Sequence, residues 1–488
     1  MRRQLTVHSR QLRAPAATPR QGAPRLLIKA WGHGLSNLFL NPRASSLKPA
    51  LAAFVAAALL MPGARATHAE TVKLNADAVA ARAVEVSHVA AAFTARLAAT
   101  QETVKAADAA TLPSLAVSAS LAQRSSVPEF AARINGPLQP PTVLYPDITT
   151  TYGTSLRLQQ ALYSGGAITG QREATRHDVE ASAATLTQTV SELRLSAHLA
   201  YWEVIRTSAS VEVARGQEER AKRLLEDTQA LFDAGMAVSA DVLAARERIA
   251  SAHVQLIVAR TAADNSLAAL RSLLQIEAAD RVELADSLAG PLPSPPGPLE
   301  ELKGQALARR PELAASAAQI AALRSRQEVV GAQARPSLGA IAQFDYSKPN
   351  QRYFPQTDQW NDSWSVGLLA SWTLFDGGKI RADTATVQFA ERAALQEGDE
   401  LTRNILLDVE NDRRYLESAL AAVDAADAAR AAGVEREKES RERYAAGLVA
   451  MVDVLDAQTQ LAAAEQQQVN ARAASWIAVA VLARAVGQ

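Results

Sequence analysis

Two stretches of this chain are spelled nearly alike, 212 residues apart. Leu162-Tyr163-Ser164-Gly165-Gly166-Ala167-Ile168 returns as Leu374-Phe375-Asp376-Gly377-Gly378-Lys379-Ile380. Phe232-Asp233-Ala234-Gly235 through Asp241-Val242-Leu243 returns as Tyr444-Ala445-Ala446-Gly447 through Asp453-Val454-Leu455. In each copy the second motif follows the first by 70 residues, so neither copy has a net insertion or deletion between them. A continuous rod imposes such a fixed length, and a helix of this span, less its ends, is roughly 90 to 100 Å long at 1.5 Å per residue. That exceeds an ordinary globular helix. The duplication therefore outweighs the two or three domains that 488 residues would suggest, because both copies build one object.

The formal net charge of zero conceals an asymmetry. Residues 1–66 carry ten Lys or Arg and no acid, which leaves 41 basic against 51 acidic residues beyond them, a balance of −10. An acidic chain without a basic cluster excludes nucleic acid as the expected partner. Ala50 to Met61 is an unbroken apolar run of 12, preceded by Lys48 and followed by Pro62, Gly63 and the small-residue site Ala64-Arg65-Ala66. The run is too short to span a bilayer as a helix and has the form of a secretory signal, so residues 1–69 read as leader and signal peptide, with an unusually long Arg-rich lead. Cysteine is absent, which removes disulfides, thiolate metal sites and a lipidated amino-terminal Cys. No later segment offers the ~20 consecutive apolar residues of a transmembrane helix. If the exported chain crosses a membrane, it does so as strands.

Along the chain, Val72 to Ala110 reads as one helix ending before Pro113. Leu115, Val117, Ala119 and Leu121 then alternate with Ser114, Ser118 and Ser120, as in a half-exposed strand. A Pro-rich loop leads to a second strand, Tyr152 to Tyr163, which Gly165-Gly166 terminates. The following rod runs to Ala230 without a proline, turns at a tip around Gly235 and returns as a helix over Asp241 to Ile276. There Val242, Ile249, Leu256, Ala263 and Leu270 recur every seven residues, the spacing of a coiled-coil seam. The first unit thus covers 70–279, a Pro-rich linker 280–298 and the second unit 299–488. In the second unit Pro311 opens a new helix or kinks the one over Leu299 to Ala334. Strands follow over Leu338 to Ser347 and Ser363 to Leu374, then Gly377-Gly378, a second rod from Ile380 to Ala446, a tip at Gly447 and a last helix, Met451 to Ala485.

Each expected strand has about the 9 to 11 residues a tilted membrane strand needs, one face apolar and the other small and polar. Of the 23 aromatic residues, eight lie between Phe344 and Phe375, among them Trp360, Trp364, Trp372 and Phe375, which suit the two membrane interfaces. The alternation alone also allows two soluble hairpins packed on helices. Four strands cannot close a barrel, and an open edge in hydrocarbon costs several kcal/mol per unsatisfied group, so closure must come from other copies. Two strands in each of two units in three chains give a cylinder of twelve.

In this order and duplication, the segments resemble the TolC-like outer-membrane efflux proteins over nearly all of the chain behind the signal. The words that carry the resemblance are Leu374-Phe375-Asp376-Gly377-Gly378, Arg443-Tyr444-Ala445-Ala446-Gly447 and Val452-Asp453-Val454-Leu455-Asp456-Ala457. The resemblance implies a mainly α fold with a transmembrane β-barrel: a homotrimer with a twelve-strand barrel in outer-membrane lipid, continued by a twelve-helix periplasmic tunnel of coiled-coil helices. It further implies an export duct, closed at its inner tip, that docks a periplasmic adaptor and an inner-membrane transporter of the ABC type. No cofactor or metal is expected.

By the same resemblance Asp453 and Asp456 line the closed aperture as carboxylate rings, and Tyr444 helps tie neighbouring tip helices shut. Asp241 stands at the position equivalent to Asp453, with Ala244 opposite Asp456. Val449 stands where a prominent family member has an arginine. For Asp241 helix capping is the reading that comes first, and for Asp453 and Asp456 it stands level with the aperture. Gly165, Gly166 and Gly170 lack the Lys-Ser/Thr of a phosphate loop and read as a strand end. The histidines are scattered, so an enzyme is not expected. The words around Asp453 favour protein secretion. Small-molecule or drug efflux, or a soluble periplasmic coiled-coil adaptor, are the alternatives.

Overall fold

The computed structural model describes residues 72–488 apart from 135, 137, 139 and 278–281, so the leader read over 1–69 lies outside the described residues. The described residues begin with a short strand β1 (Val72–Leu74) and two helices, α1 (Ala76–Val86) and α2 (His88–Ala109). The single helix expected over 72–110 is therefore broken. Ser87 is extended, and its Oγ accepts from Val89 N and Ala90 N at 3.2 and 3.3 Å, which ends α1 and caps α2. Residues 72–74 are drawn out of the helix by a parallel ladder with residues 282–284.

Next come β2 (Ser114–Gln123), a small hairpin of β3 (Phe130–Ala132) and β4 (Thr142–Tyr145) inside the Pro-rich connection, and β5 (Thr150–Tyr163). The rod α3 (Ala167–Asp233) and its return α4 (Ser239–Leu274) follow. The segment read as a linker holds β6 (Val282–Leu284), the partner of β1. Beyond it are α5 (Leu299–Arg309) and α6 (Pro311–Ala332), where Pro311 occupies the first helical position and opens a new helix. The chain ends with β7 (Ser337–Lys348), β8 (Asn361–Ser371), the rod α7 (Lys379–Ala445) and α8 (Met451–Ala485). Both rods contain 67 residues, about 100 Å of helix.

β2, β5, β7 and β8 form one antiparallel sheet in that order, leaving β2 and β8 as open edges. Strand β8 stops at Ser371, three residues before the expected Leu374, because its partner β7 begins at Ser337, opposite Ser371. The helices beside the sheet repeat its order: α2 packs on α3, α3 on α6 and α6 on α7. At the other end of the rods α4 lies on α3, α3 on α8 and α8 on α7. The seam read in α4 faces inward, with Val242, Leu256 and Leu270 buried and Ala245 and Ala252 buried between them.

The core sits at mid-rod, where α1, β1, β6 and α5 thicken the helix layer. Leu74, Val79, Tyr201, Ile205, Leu270 and Leu274 pack in one cluster, and Ile405, Val409, Leu416, Leu482 and Ala485 in another. Trp202 stacks on Trp476 with centroids 4.9 Å apart. The Tyr201 hydroxyl donates to Asp286 Oδ2 at 2.7 Å and accepts from Asp286 N at 3.2 Å, tying the segment after β6 to α3.

Candidate aperture and pore wall

Each rod ends in the same turn. After α3, Gly235 N donates to Phe232 O and Met236 N to Leu231 O; after α7, Gly447 N donates to Tyr444 O and Leu448 N to Arg443 O. This is a Schellman ending, which needs a left-handed residue, supplied by Gly235 (φ 74) and Gly447 (φ 73). Space is not the constraint, since nothing lies within 4 Å of where a Cβ would sit on either. The turns bring four helix ends together around Leu224, Ala245, Tyr444, Met451 and Val454, with Val449 half-buried among them.

At this junction Tyr444 is 9% exposed and its hydroxyl donates to Asp241 Oδ2 at 3.0 Å, joining α7 to α4 across 203 residues of sequence. Burial first, then the hydrogen bond to the Asp241 carboxylate, push the phenol up to about 12, with Thr228 opposing. Capping, the first expectation for Asp241, is not seen: its side chain makes no cap bond and accepts from the tyrosine. Asp453 does cap, its Oδ2 accepting from Ala450 N at 3.1 Å. The bond is one half of a capping box, because Ala450 has no side-chain acceptor to return it. Asp456 is bound by Arg436 at 3.1 Å and by Gln460 at 2.9 Å. Asp453 and Asp456 are both exposed. The tip therefore joins Tyr444 to Asp241, while Asp453 and Asp456 serve local partners within the α7–α8 hairpin. Arg436 is a tip residue the sequence reading missed, although a signal existed: Arg436 lies 11 residues before Gly447 and Asp456 nine after it, so a hairpin sets them side by side.

At the other end of the rods Gly166 (φ 101) and Gly378 (φ 91) are the residues before α3 and α7, following Gly165 (φ 63) and Gly377 (φ 69). In the second copy Asp376 accepts from Gly378 N at 2.9 Å and Ile380 N at 2.6 Å, and these N–H donors, Ile380 foremost, hold its carboxyl below the usual carboxylate range. In the first copy Ser164 Oγ accepts from Ile168 N at 3.2 Å, and Arg335 donates to Gly165 O at 2.9 Å. The paired glycines end strands and start helices.

The sheet has two chemically opposite faces. Register puts Ser118, Ser155, Asp345 and Ser363 in one row, with Ser120, Gly153 and Ser347 beside it and Arg157, Gln343 and Ser365 on the other side. The opposite face carries Leu115, Val117, Leu121, Leu156, Leu158, Phe344, Tyr346, Trp364, Val366 and Leu368. These apolar side chains are exposed: Val117 is 70%, Trp364 69% and Leu368 70% accessible. Packing of the hairpins on helices would have buried them, and the sheet's contacts run among its own strands. Trp360 stacks on Tyr346 at the loop end of β8; Trp372, whose Nε1 donates to Ala334 O at 3.0 Å, and Phe375, 89% exposed, lie at the end nearest the rods. Among the described residues no helix is long and apolar enough to cross a membrane.

Comparison with known proteins agrees with this geometry. The family model described as "Outer membrane efflux protein" matches residues 79–274 and 302–488. The chain is 26% identical over 330 residues to the alkaline protease secretion protein AprF of Pseudomonas aeruginosa, a match covering 66% of each. It is 24% identical over 290 residues to the outer membrane protein TolC of Vibrio cholerae, covering 59% of this chain and 66% of that one. These matches span just under two thirds of the length of both relatives. Among solved structures, CusC superposes with a TM-score of 0.72 at 16% identity, covering 86% of this chain and 93% of that one. VceC of Vibrio cholerae gives 0.67 at 18%, covering 84% and 96%. At these identities the structural likeness speaks for the fold alone. With both the repeated tip and the two-faced sheet inside the matched residues, the chain belongs to the outer membrane efflux protein family, which is made up of outer-membrane channels and not of enzymes.

Proposed function

We infer that three copies close into a twelve-strand barrel in the outer membrane, continued by twelve helices across the periplasm, and that this duct is the exit of an export system. The observation that carries the reading is the sheet itself, with a solvent-exposed apolar face and unpaired edges at β2 and β8. Neither is tolerable in water or in lipid unless lipid covers the face and other copies pair the edges. The helix layer supports the same closure. α2 and α7 are the open flanks of their row, and α4 keeps Val254, Ile257 and Val258 exposed on its outer side. Four helices per chain in that row, taken three times, match the strands.

The tip is the inner aperture of this duct, held narrow by the Tyr444–Asp241 bond, with Asp453 and Asp456 as the carboxylates around it and Gly235 and Gly447 as the turns. Carboxylate rings in a constriction favour cations. Its partners are a periplasmic adaptor at the tip and an inner-membrane transporter of the ABC type. The cargo is protein: the relative AprF is named for alkaline protease secretion, and that is the support. The duct is tested by mass and current. Detergent-solubilised protein should have the mass of three chains and should open ion channels in planar bilayers; a monomer recovered without detergent overturns the reading. Comparing the secreted proteome and the drug susceptibility of a deletion strain decides the cargo, because an unchanged secretome with raised susceptibility would reverse the assignment to efflux.

A further inference from the structure

The segment between β7 and β8 does not stand away from the sheet. Pro349 and Asn350 are buried, Asn350 to 3%. Asn350 Nδ2 donates to Asn361 O and to Ser363 Oγ, both at 3.1 Å, and Ser363 lies in the polar row of the sheet. Asn350 Oδ1 accepts from Arg352 N at 2.9 Å, so the turn is fixed over that face. Arg352 Nη1 then donates to Trp364 O at 2.7 Å, and the Tyr353 hydroxyl to Asp362 O at 3.0 Å. The far end of the segment is anchored on the opposite, apolar face, where Trp360 stacks on Tyr346 at 4.9 Å. Lys348 pairs with Asp358 at 3.3 Å across its base. The segment thus overhangs the polar face from one rim, and a polar cavity of about 460 Å³ lies between Asn350, Gln351 and Arg352 on one side and Ser118, Ser120, Ser155 and Asp345 on the other.

We propose that this overhang forms a second constriction of the duct, at its outer mouth, and that Arg352 sets the charge preference there, opposed by Asp345. The proposal rests on the reading of the polar face as pore wall. A cylinder of twelve strands spaced about 4.8 Å apart and tilted about 40° is about 24 Å across between backbones. Three inward overhangs of folded chain narrow such an opening substantially, whereas loops directed outward would leave it clear. Each overhang brings one guanidinium, Arg352, and one carboxylate, Asp345, to the same polar cavity, the guanidinium reaching back along β8 to Trp364 O.

The chain contains no cysteine, so one engineered thiol reports on one position. Ser120→Cys lies on the polar wall beneath the overhang, and Val117→Cys lies on the apolar face. Whole cells are treated from outside with a cationic and an anionic methanethiosulfonate of similar size, and with a maleimide on a bulky polyethylene glycol. The Ser120→Cys thiol should react with both small reagents and resist the bulky one. Replacing residues 350–359 with Gly-Gly in that variant should admit the bulky reagent. Adding Arg352→Gln to Ser120→Cys should lower the anionic-to-cationic rate ratio by about sixfold, the effect of a unit charge roughly 8 Å away on two reagents of opposite sign in a water-filled mouth. If Val117→Cys reacts and Ser120→Cys does not, the pore-wall reading itself fails. If Ser120→Cys reacts but neither the size limit nor the ratio moves, the outer constriction is overturned while the duct stands.

Discussion

Replacing Tyr444 with Phe removes one oxygen and leaves the ring packed among Leu224, Met451 and Val454, so the change isolates the bond to Asp241. Hydrogen bonds to charged groups contribute about 1.5 to 3 kcal/mol, and the half-exposed carboxylate puts this one near or below the lower bound, at about 1 to 1.5 kcal/mol. Three copies opening together would lose about 3 to 4.5 kcal/mol, which raises the open-to-closed ratio by a factor of about 160 to 2,000. Single-channel recording of reconstituted protein is the assay: Tyr444→Phe should open more often, or to a higher level, than the natural chain. Tyr415→Phe, on the same rod and exposed, is the control. The sign with pH follows from the raised phenol. Its contribution to the closed tip is fully present below the ordinary tyrosine value and is lost only as pH rises through about 12, so moving from pH 7 to 9 should not open the tip through this group. Equal conductance in Tyr444→Phe and the natural chain, with the assembly intact, would refute the reasoning.

Converting Asp453 and Asp456 together to Asn should weaken cation selectivity and block by divalent cations, read from reversal potentials; unchanged values would remove both residues from the aperture. Gly165→Ala should cost more stability than Gly377→Ala, although both have φ near 65. A Cβ on Gly165 meets Ala332 O and Arg335 Cβ at 2.9 Å, whereas Gly377 faces open space, and the melting temperatures of the two variants decide it. The Arg310 side chain, 2% exposed, donates to Ala485 O at 2.8 Å and Glu312 at 2.9 Å, so Arg310→Ala leaves Glu312 with Arg484 at 3.4 Å as its cation and should cost about 1.5 to 3 kcal/mol. Denaturant unfolding would show this, with Arg310→Lys intermediate.

The rods were legible because a helix of fixed length tolerates no insertion, and because the glycines at 165, 166, 235 and their counterparts mark where strand, rod and tip must change direction. The strand faces were legible for the same kind of reason: period two over ten residues is a local signal. What escaped depends on contacts distant in sequence. β1 has three residues and no period of its own, and it exists because β6 lies beside it some 210 positions away. Ser87 reads equally well as a mid-helix residue until the chain bends there. Tyr444 and Asp241 were each singled out, but only the crossing of α7 and α4 makes them partners, and capping was the natural local alternative for an Asp in a first turn. The pair Arg436–Asp456 could have been found by counting outward from Gly447, since a hairpin aligns residues equidistant from its turn. The end of β8 could not, because it is set by where β7 begins.

A duct of this kind requires the apolar face of the sheet to meet lipid and its polar face to meet water. Single cysteines placed in turn at residues 363–368 of β8, labelled with a bimane and reconstituted with nitroxide-bearing lipid, test this most directly. Quenching should alternate, strong at Trp364→Cys, Val366→Cys and Leu368→Cys and weak at Ser363→Cys, Ser365→Cys and Gly367→Cys. Uniform quenching along the strand, or none at any position, would contradict it.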